Sequence, residues 1–325
     1  MPCYNPIYAG RAVGSNEFGK RPLRFASDIN MLDVPNASKY AVPCGRCIGC
    51  RLERSRQWAL RCVHEASLYD ENCFITLTFN DESLFDWQGR NLPLEDIQSC
   101  LRGSLVKADF QNFMKRLREK YPDRKIRYFH CGEYGDLGRP HHHACLFNFC
   151  FDDLREAVTD DGSRCFVSDT LDKLWPFGFN SIGEVTFESA AYVARYVLKK
   201  WADKGLKGVD LYRAMFEFDE VVAEKDPLYQ PEYITMSRKP GIGCGWIEKF
   251  MDDVYPKDFI TVRGHKCKPP KYYDIKKELD NSVFMLKLKY DRMKRSQGSP
   301  DNSLLRLKVR ETAIRKDSER IRRKL

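Results

Sequence analysis

The chain has 325 residues, of which 42% are hydrophobic and 13% aromatic, so it can bury a substantial core and is not a wholly disordered protein. No apolar stretch approaches the roughly 20 residues that cross a bilayer, and the amino terminus lacks the basic and then apolar order of a secretory signal. We therefore expect a soluble, unsecreted protein that makes no membrane contact.

The net charge of +9 is unevenly distributed. Residues 287–325 carry fourteen Lys and Arg residues against five acidic ones, which accounts for the whole excess, and residues 1–286 are balanced. A cationic tail on a neutral body suits a polyanionic partner, and a solvated helical tail is the alternative. Leu307, Ile314 and Ile321 recur every seven residues, so this tail is predicted to be helical and able to pack on the body or on a partner.

Residues 1–51 are rich in Pro, Gly and Asn, and we predict an irregular arm. The arm ends in Cys44, Cys47 and Cys50, a spacing more typical of metal ligation than of disulfides, and the total of 13 cysteines is odd. We therefore expect the protein to act in a reducing cytoplasm. A zinc ion bound by these thiolates would stabilise an arm that has no core of its own, and buried, reduced thiols are the alternative. A ferredoxin-like cluster is disfavoured because Arg54 holds the next spaced position.

After the arm the pattern alternates between helices and strands. Helical spacing begins at Leu52 and ends near Asp70, and residues 74–79 (FITLTF) are predicted to form a strand because they are β-branched and aromatic. A second amphipathic helix is indicated by four apolar residues at helical spacing. These are Phe110, Phe113, Met114 and Leu117.

Two short aromatic strands are predicted at residues 124–131 and 141–149, with a glycine-containing loop between them that favours antiparallel pairing. A further strand at 180–185 precedes a helix at 189–200. This mixed order indicates an α+β protein in which helices pack on an antiparallel sheet.

Three consecutive histidines begin the second aromatic strand. Because side chains alternate along a strand, His141 and His143 project to one face and His142 to the other. Glu133 is expected in the loop that leads into this strand. Two imidazoles and a carboxylate form a site with open positions that suits Mg²⁺ or Mn²⁺ bound to a phosphate, and packed structural histidines are the alternative.

The helix at 189–200 carries a pair of tyrosines. Tyr192 and Tyr196 lie on one face at i, i+4 spacing, with Lys199 about one turn further along. Tyrosines at this spacing are usually a packing pair. Beside a metal-binding strand, however, a phenol can act as a covalent nucleophile on a phosphate that the metal holds and polarises.

These motifs, in this order, resemble the replication initiators of the microviruses, small single-stranded DNA phages, and most closely the gokushovirus branch. The chain is thereby similar to the His-hydrophobe-His (HUH) endonuclease superfamily. The matching segments are 74–79, 138–144 (GRPHHHA) and the run from Tyr192 to Lys199. The cysteine cluster and residues 236–243 (MSRKPGIG) extend the resemblance over most of 40–250. One departure is His142, which stands where the family usually has a bulky hydrophobe.

The resemblance implies a five-stranded antiparallel sheet of ferredoxin or RRM type, with the histidine strand in its centre and the tyrosine helix across its face. It implies four regions: the arm (1–51), an HUH catalytic domain (52–205), an extension packed on the core (206–286) and the basic helical tail (287–325). It also suggests Cys3 as the fourth ligand of a structural zinc ion held with Cys44, Cys47 and Cys50.

The implied activity is that of a metal-dependent DNA nickase and strand transferase. One tyrosine attacks the replication origin, forms a 5′-phosphotyrosine bond and frees a 3′-hydroxyl that primes rolling-circle synthesis. The second tyrosine cleaves the regenerated origin so that the strand can be rejoined as a circle. The implied nucleophiles are Tyr192 and Tyr196, aided by Lys199, and the implied cation ligands are His141, His143 and Glu133. The implied partners are single-stranded and origin DNA and the polymerase and helicase of the bacterial host, in whose cytoplasm the protein would act.

Two other classes of function compete with this interpretation. A non-catalytic DNA-binding protein would use a zinc-stapled arm and a basic tail, with its tyrosines and histidines merely packed. A zinc hydrolase would use the histidines, although the sequence has no His-Glu-x-x-His helix. Covalent capture of DNA distinguishes the nickase from both.

Overall fold

A computed structural model describes residues 3–15, 17, 21–26, 30, 32, 34, 39–83, 104–135, 139–159, 162, 164–202, 230–296 and 300–322, without the side chains of 195–202, 296, 300 and 318–322. Its described residues form two compact units. The first draws on Met1–Arg54 and Leu286–Leu325, and the second on Ser55–Lys200 and Glu224–Met285. Of the helices described, none is both long and apolar enough to cross a membrane.

The second unit is built on an antiparallel sheet of seven strands. The strands are β4 (Asn72–Leu77), β5 (Arg127–Tyr134), β6 (Pro140–Phe147), β7 (Arg155–Val158), β8 (Arg164–Val167), β9 (Asn180–Gly183) and β10 (Tyr233–Met236). Their order across the sheet is β10-β5-β6-β4-β9-β8-β7. The histidine strand β6 is therefore an interior strand.

The α+β class with an antiparallel sheet is confirmed, but the expected number of five strands was wrong. The two additional strands are the hairpin β7–β8, which joins the sheet through the single pair Phe166 and Ile182. Each of its strands has four residues, and β7 is mostly exposed, so neither carries the alternating apolar pattern that would have predicted it.

One face of the sheet is covered by α2 (Lys107–Lys120) and the short helix α3 (Asp169–Leu174). The predicted apolar stripe of α2 is buried, and it packs on inward-facing strand residues and on Trp175. Alternation along β4 is regular, since Cys73, Ile75 and Leu77 are buried and the residues between them are half-buried. This face forms the larger hydrophobic core of the unit.

The other face is covered by α1 (Ile48–Ala66), of which the part from Ser55 onward belongs to this unit, and by α4 (Phe187–Ala202). Ala59 and Cys62 of α1 and Ala190, Val193 and Ala194 of α4 are fully buried in a second apolar cluster. Small side chains on both helices allow them to approach the strands closely. Helix α4, which carries the tyrosines, thus lies on the sheet face toward which Cys131 and Cys145 point.

The remainder of this unit follows β10. Helix α5 (Cys244–Val254), the hairpin of β11 (Ile260–Val262) and β12 (His265–Cys267), and helix α6 (Lys271–Asp280) continue the chain, followed by α7 (Ser282–Ser296), which runs past the boundary of the unit.

The first unit corrects the expectation of an irregular arm. It contains a three-stranded antiparallel sheet in the order β2-β1-β3, formed by β1 (Ile7–Arg11), β2 (Leu23–Ala26) and β3 (Tyr40–Val42). Strands of three to five residues in a Pro- and Gly-rich stretch give too little periodicity to be recognised. The tail is helical, as predicted, and its last helix, α8 (Leu304–Arg322), buries Leu307 against Tyr4 and the cysteine cluster.

Candidate active site

The candidate active site lies where β5 and β6 pair. Glu133 is directly opposite His141, and Cys131 is directly opposite His143, in the antiparallel register. Glu133 was expected in a loop, but it lies within the ladder of β5. The prediction failed because Gly132 was interpreted as a turn residue. A Cβ at Gly132 would lie 2.9 Å from the Tyr233 ring, so this glycine permits close packing within the sheet.

Glu133 and His143 form the centre of the site. The Nε2 atom of His143 is 2.8 Å from Oε1 of Glu133, and the Nδ1 atom of His143 is 3.0 Å from the hydroxyl of Thr76 on the neighbouring strand β4. Both ring nitrogens therefore have partners, and the ring also stacks on Phe74. An Nε2 proton of His143 can be donated to the Glu133 carboxylate, and the Thr76 hydroxyl, which both donates and accepts, can partner Nδ1. These contacts fix the ring in one orientation.

Tyr192 joins this centre from the helix above. Its hydroxyl donates to Oε1 of Glu133 at 2.8 Å, and its ring meets that of His143 edge-on with 5.1 Å between centroids. The start of α4 is set by a reciprocal cap. The Ser189 amide donates to the Thr186 hydroxyl, and the Thr186 amide donates to the Ser189 hydroxyl. This cap and the buried Val193 position Tyr192 over the strand.

His141 lies beside the centre but not in it. Its ring centroid is 6.5 Å from that of His143. The ring lies close over Gly135, where a Cβ would come within 2.8 Å of it. Burial lowers the pKa of His141, which favours the neutral imidazole that can ligate a metal.

The residues present are a chemical fit for a divalent cation. Oε2 of Glu133 is buried and has no hydrogen-bond partner in the described part of the chain, so it offers an unused acceptor. Two imidazoles and a carboxylate form a mixed nitrogen and oxygen donor set of the kind that Mn²⁺ accepts. The ligand atoms of these three residues are not gathered around one point in the described structure, although Glu133 and His143 are joined by a hydrogen bond.

His142 projects to the opposite face, as the alternation predicts. Its Nδ1 atom is 3.1 Å from Nε2 of His130, whose own Nδ1 is 2.9 Å from the Thr235 hydroxyl. The ring of His130 stacks on Phe110 of α2. Burial lowers the pKa of His142 to about 3, so this imidazole is neutral. The unusual histidine is thus paired with a second buried histidine beneath α2.

Tyr196 and Lys199, the other predicted members of the site, lie on the helical backbone of α4. Their side chains are outside the described residues.

A second candidate site lies in the first unit. The sulfurs of Cys3, Cys44, Cys47 and Cys50 all lie within 4.8 Å of one another, so they could hold a metal ion. Backbone amides point at them: Cys44 N donates to the Cys3 sulfur at 3.1 Å, and Cys47 N donates to the Cys44 sulfur at 3.3 Å. Such bonds stabilise thiolates, which are the form that ligates metals. In the described part of the chain, this is the only group of three or more His, Cys, Asp or Glu residues with such spacing.

Thr76 and His130 are functional-site neighbours that the sequence alone does not indicate. Thr76 lies in the middle of the segment 74–79, whose sequence indicates only a strand, and it contacts His143 because the two residues are directly paired. A polar residue on the same strand face as the site could have been inferred once the pairing of β4 with β6 was known. His130 carried no sequence signal, since its partner His142 was identified only as a departure from the family pattern.

Known proteins are similar to the part of the chain that holds the candidate active site, and some are similar over most of its length. Residues 72–201, from the start of β4 into α4, match the family model described as replication-associated protein ORF2/G2P. The chain is 32% identical over 284 residues to replication-associated protein VP4 of Bdellovibrio phage phiMH2K, covering 84% of this chain and 76% of that protein.

Two further relatives carry similar descriptions. The chain is 34% identical over 263 residues to replication-associated protein ORF2 of Spiroplasma virus 4, covering 77% of this chain and 71% of the relative. It is 29% identical over 168 residues to replication-associated protein ORF4 of Chlamydia phage 1, covering 50% of this chain and 39% of that relative. No solved structure matches the chain significantly.

Proposed function

Because this chain belongs to the phage replication-associated proteins, as a replication initiator of the microvirus type, we propose a specific reaction for it. It starts rolling-circle replication when one of its tyrosines cuts one DNA strand at the origin. The observation that carries the proposal is the hydrogen bond from the Tyr192 hydroxyl to Glu133 beside His143. A phenol bonded to a buried carboxylate is oriented, and its proton has an acceptor.

The chemistry of the proposed step follows from these contacts. The Tyr192 oxygen attacks the phosphorus of the scissile phosphodiester, and its proton passes to Oε1 of Glu133. The bond to the 3′-oxygen breaks, and that oxygen takes a proton from solvent to become a 3′-hydroxyl. The DNA stays attached to the protein through a 5′-phosphotyrosine bond. Because one phosphodiester replaces another, no nucleotide hydrolysis is needed, and the reaction can be reversed to rejoin strands.

The strand face supplies the surroundings for this reaction. His141, His143 and Glu133 would hold a divalent cation, Mg²⁺ or Mn²⁺, which would supply positive charge against the phosphate. Thr76 keeps the His143 ring in position whichever ring nitrogen carries the proton, because a hydroxyl both donates and accepts. We assign Tyr196 as the second nucleophile and Lys199 as a cation near the reacting phosphate, on the strength of their helical spacing.

We further propose that the four cysteines bind a single structural Zn²⁺. Zinc–sulfur bonds of about 2.3 Å in a tetrahedron require sulfurs about 3.8 Å apart, and the sulfurs of Cys3 and Cys47 are separated by 3.9 Å. An iron–sulfur cluster would hold its cysteines farther apart, since each thiolate binds a different iron. The positive φ of 74° at Gly45 belongs to the turn that brings Cys44 and Cys47 together.

The test of the proposed function follows the two halves of a cleaved strand. Single-stranded oligonucleotides that tile the phage DNA strand would be incubated with the protein and Mn²⁺ and then separated under denaturing conditions. A label at the 3′ end should migrate with the protein, and a label at the 5′ end should be released on a shorter fragment with a 3′-hydroxyl. DNA that is bound but never attached covalently would instead support the non-catalytic DNA-binding protein.

A further inference from the structure

A basic cleft of about 500 Å³ opens at the end of β5 that is remote from Glu133. Three segments line it: the end of α2 with the turn that follows, the start of β5, and the loop after β10. Six of the lining residues are basic, and none of the described lining residues is acidic. The basic residues are Arg118, Arg124, Lys125, Arg127, Arg238 and Lys239.

The loop that supplies Arg238 and Lys239 is firmly anchored. The Ser237 amide donates to the Tyr128 carbonyl at 3.0 Å, and the Tyr128 amide donates to the Ser237 hydroxyl at 3.1 Å. On the other side of the two cations, Arg127 donates to the Pro240 carbonyl at 2.8 Å. The backbone that carries Arg238 and Lys239 is therefore held at both ends, so their positions are defined by the fold.

Arg127 serves as the anchor and not as a binding group. Its guanidinium is buried and paired with Glu65, whose other oxygen accepts from the Gly243 amide at 2.6 Å. A buried charge that is already neutralised attracts a ligand only weakly, and its removal would leave the Glu65 carboxylate buried without an opposite charge. Arg124 is likewise paired, with Glu71.

The other four cations keep exposed side chains, although the Arg118 guanidinium also donates to the Ile126 carbonyl at 3.1 Å. Arg118, Lys125, Arg238 and Lys239 are exposed, and no carboxylate in the described part of the chain forms an ion pair with them. This concentration is not a by-product of a basic protein, because residues 1–286 contain equal numbers of basic and acidic residues. Charges of one sign around a concave surface focus an attractive field for an anion.

We propose that this cleft binds the phosphate backbone of a DNA strand at a position separate from the Tyr192 and Glu133 site. A polyanion fits a row of uncompensated cations, and Lys and Arg that neutralise phosphates gain affinity by releasing counterions. Arg127 and Glu133 stand at opposite ends of β5, roughly 20 Å apart at about 3.3 Å per residue. The proposal rests on the proposed function only in taking DNA as the polyanion.

The test compares two triple variants of the full chain. One removes cleft cations (Lys125→Ala, Arg238→Ala, Lys239→Ala), and the control removes exposed lysines elsewhere in the same unit (Lys249→Ala, Lys257→Ala, Lys266→Ala). Fluorescence anisotropy would measure the affinity for a labelled single-stranded oligonucleotide and for a duplex over a series of salt concentrations. Thermal melting would establish that both variants are folded.

The cleft variant should bind DNA roughly tenfold or more weakly than the control variant. Each phosphate contact contributes about 0.7 to the slope of log affinity against log salt concentration for single strands, so the loss of three cations should make that slope shallower by about 2. A loss with either form of DNA supports the proposal and identifies the form bound. Equal affinity and equal slope in the two variants would overturn it. Covalent attachment at saturating DNA, measured on the same proteins, tests the nicking reaction separately, since a native protein that forms no adduct can still show the cleft effect.

Discussion

The hydroxyl of Tyr192 donates a 2.8 Å hydrogen bond to Oε1 of Glu133, although the two residues are 59 positions apart. The same oxygen is 2.8 Å from Nε2 of His143. One carboxylate oxygen thus connects the proposed nucleophile to the histidine strand. Its other oxygen has no described partner, so Glu133 has capacity left for a cation.

Glu133→Gln should lower the rate of covalent attachment to DNA by about 10²- to 10⁴-fold, because an amide cannot take up the phenol proton. His141→Ala and His143→Ala should abolish nicking, because each removes a ligand of the cation. Binding of DNA should be largely unaffected in all three, since affinity comes from basic surfaces. The measurement is adduct formation with Mn²⁺ alongside an anisotropy titration. Exposed His265→Ala is the control, and full nicking by a folded double histidine variant would contradict the metal assignment.

The tyrosine pair makes separate predictions for single and double variants. Tyr192→Phe or Tyr196→Phe alone should retain some cleavage of an origin oligonucleotide but release few closed circles, because the second cut needs a free nucleophile. The double variant should form no adduct. Only hydroxyl groups are lost, so the fold should persist, which melting curves can verify. A folded double variant that still attaches to the 5′ side of the nick would require another nucleophile.

Thr76→Val tests whether the orientation of His143 matters. The variant keeps the shape of the side chain and removes the hydroxyl 3.0 Å from Nδ1. Loss of such a partner typically weakens metal affinity by about 10- to 100-fold, so nicking should require more Mn²⁺ and recover when Mn²⁺ is in excess. Thr78→Val, two residues along the same chain segment, is the matched control. An unchanged Mn²⁺ dependence in Thr76→Val would show that the hydroxyl does not orient the ring.

The cysteine cluster predicts one zinc ion per chain. Cys47→Ser should reduce the zinc content measured by native mass spectrometry to near zero, because three thiolates leave the tetrahedron incomplete. It should also increase amide exchange around Leu307, which is 4% exposed and packs in the same cluster. Cys165→Ser, outside the cluster, should change neither quantity. Full zinc occupancy in Cys47→Ser would remove Cys47 from the ligand set.

Asp109 gives the stability of the protein a defined pH dependence. Burial raises the pKa of this carboxyl from 3.8 to about 7, and its Oδ1 has no hydrogen-bond partner in the described part of the chain. Between these two pH values the Asp109 carboxyl is ionised in the unfolded chain but keeps its proton in the folded protein. Stability from this group therefore falls as pH rises through this window and levels off above about pH 7.

Asp109→Asn should remove this decrease in folding stability at higher pH, because an amide does not ionise. The variant should be more stable than the native protein by an amount on the order of 2 kcal/mol at pH 8 and by clearly less at pH 5. Melting temperatures at the two pH values give the comparison. Exposed Asp253→Asn is the control and should show no such difference. An equal gain at both pH values would mean that ionisation of Asp109 is not the cause.

The parts of the fold that the sequence predicted are those with strong periodicity. Phe110, Phe113, Met114 and Leu117 marked α2 because an amphipathic helix repeats its apolar stripe over several turns. The faces of His141 and His142 followed from strand alternation alone. The short strands of the first unit and the hairpin β7–β8 could not be predicted, since three to five residues contain too few alternations to stand out.

The candidate site was predictable in its residue types but not in its contacts. Glu133 pairs with His141 across the ladder, but its place on a strand depends on Gly132 packing against Tyr233, a contact between residues distant in sequence. Thr76 could be identified only from the pairing of β4 with β6. Strand pairing between remote segments is set by tertiary packing, which local propensity does not report.

The hairpin of β5 and β6 has a consequence for the order in which the protein assembles. Glu133 and His143 are only ten positions apart, so closing the loop between them costs little chain entropy, and hairpins form in about 1–10 μs. Tyr192 reaches them only after a much longer segment has docked. During synthesis, therefore, we expect the carboxylate and histidine half of the site to form before the tyrosine arrives, so that a partly folded chain is unable to cut DNA.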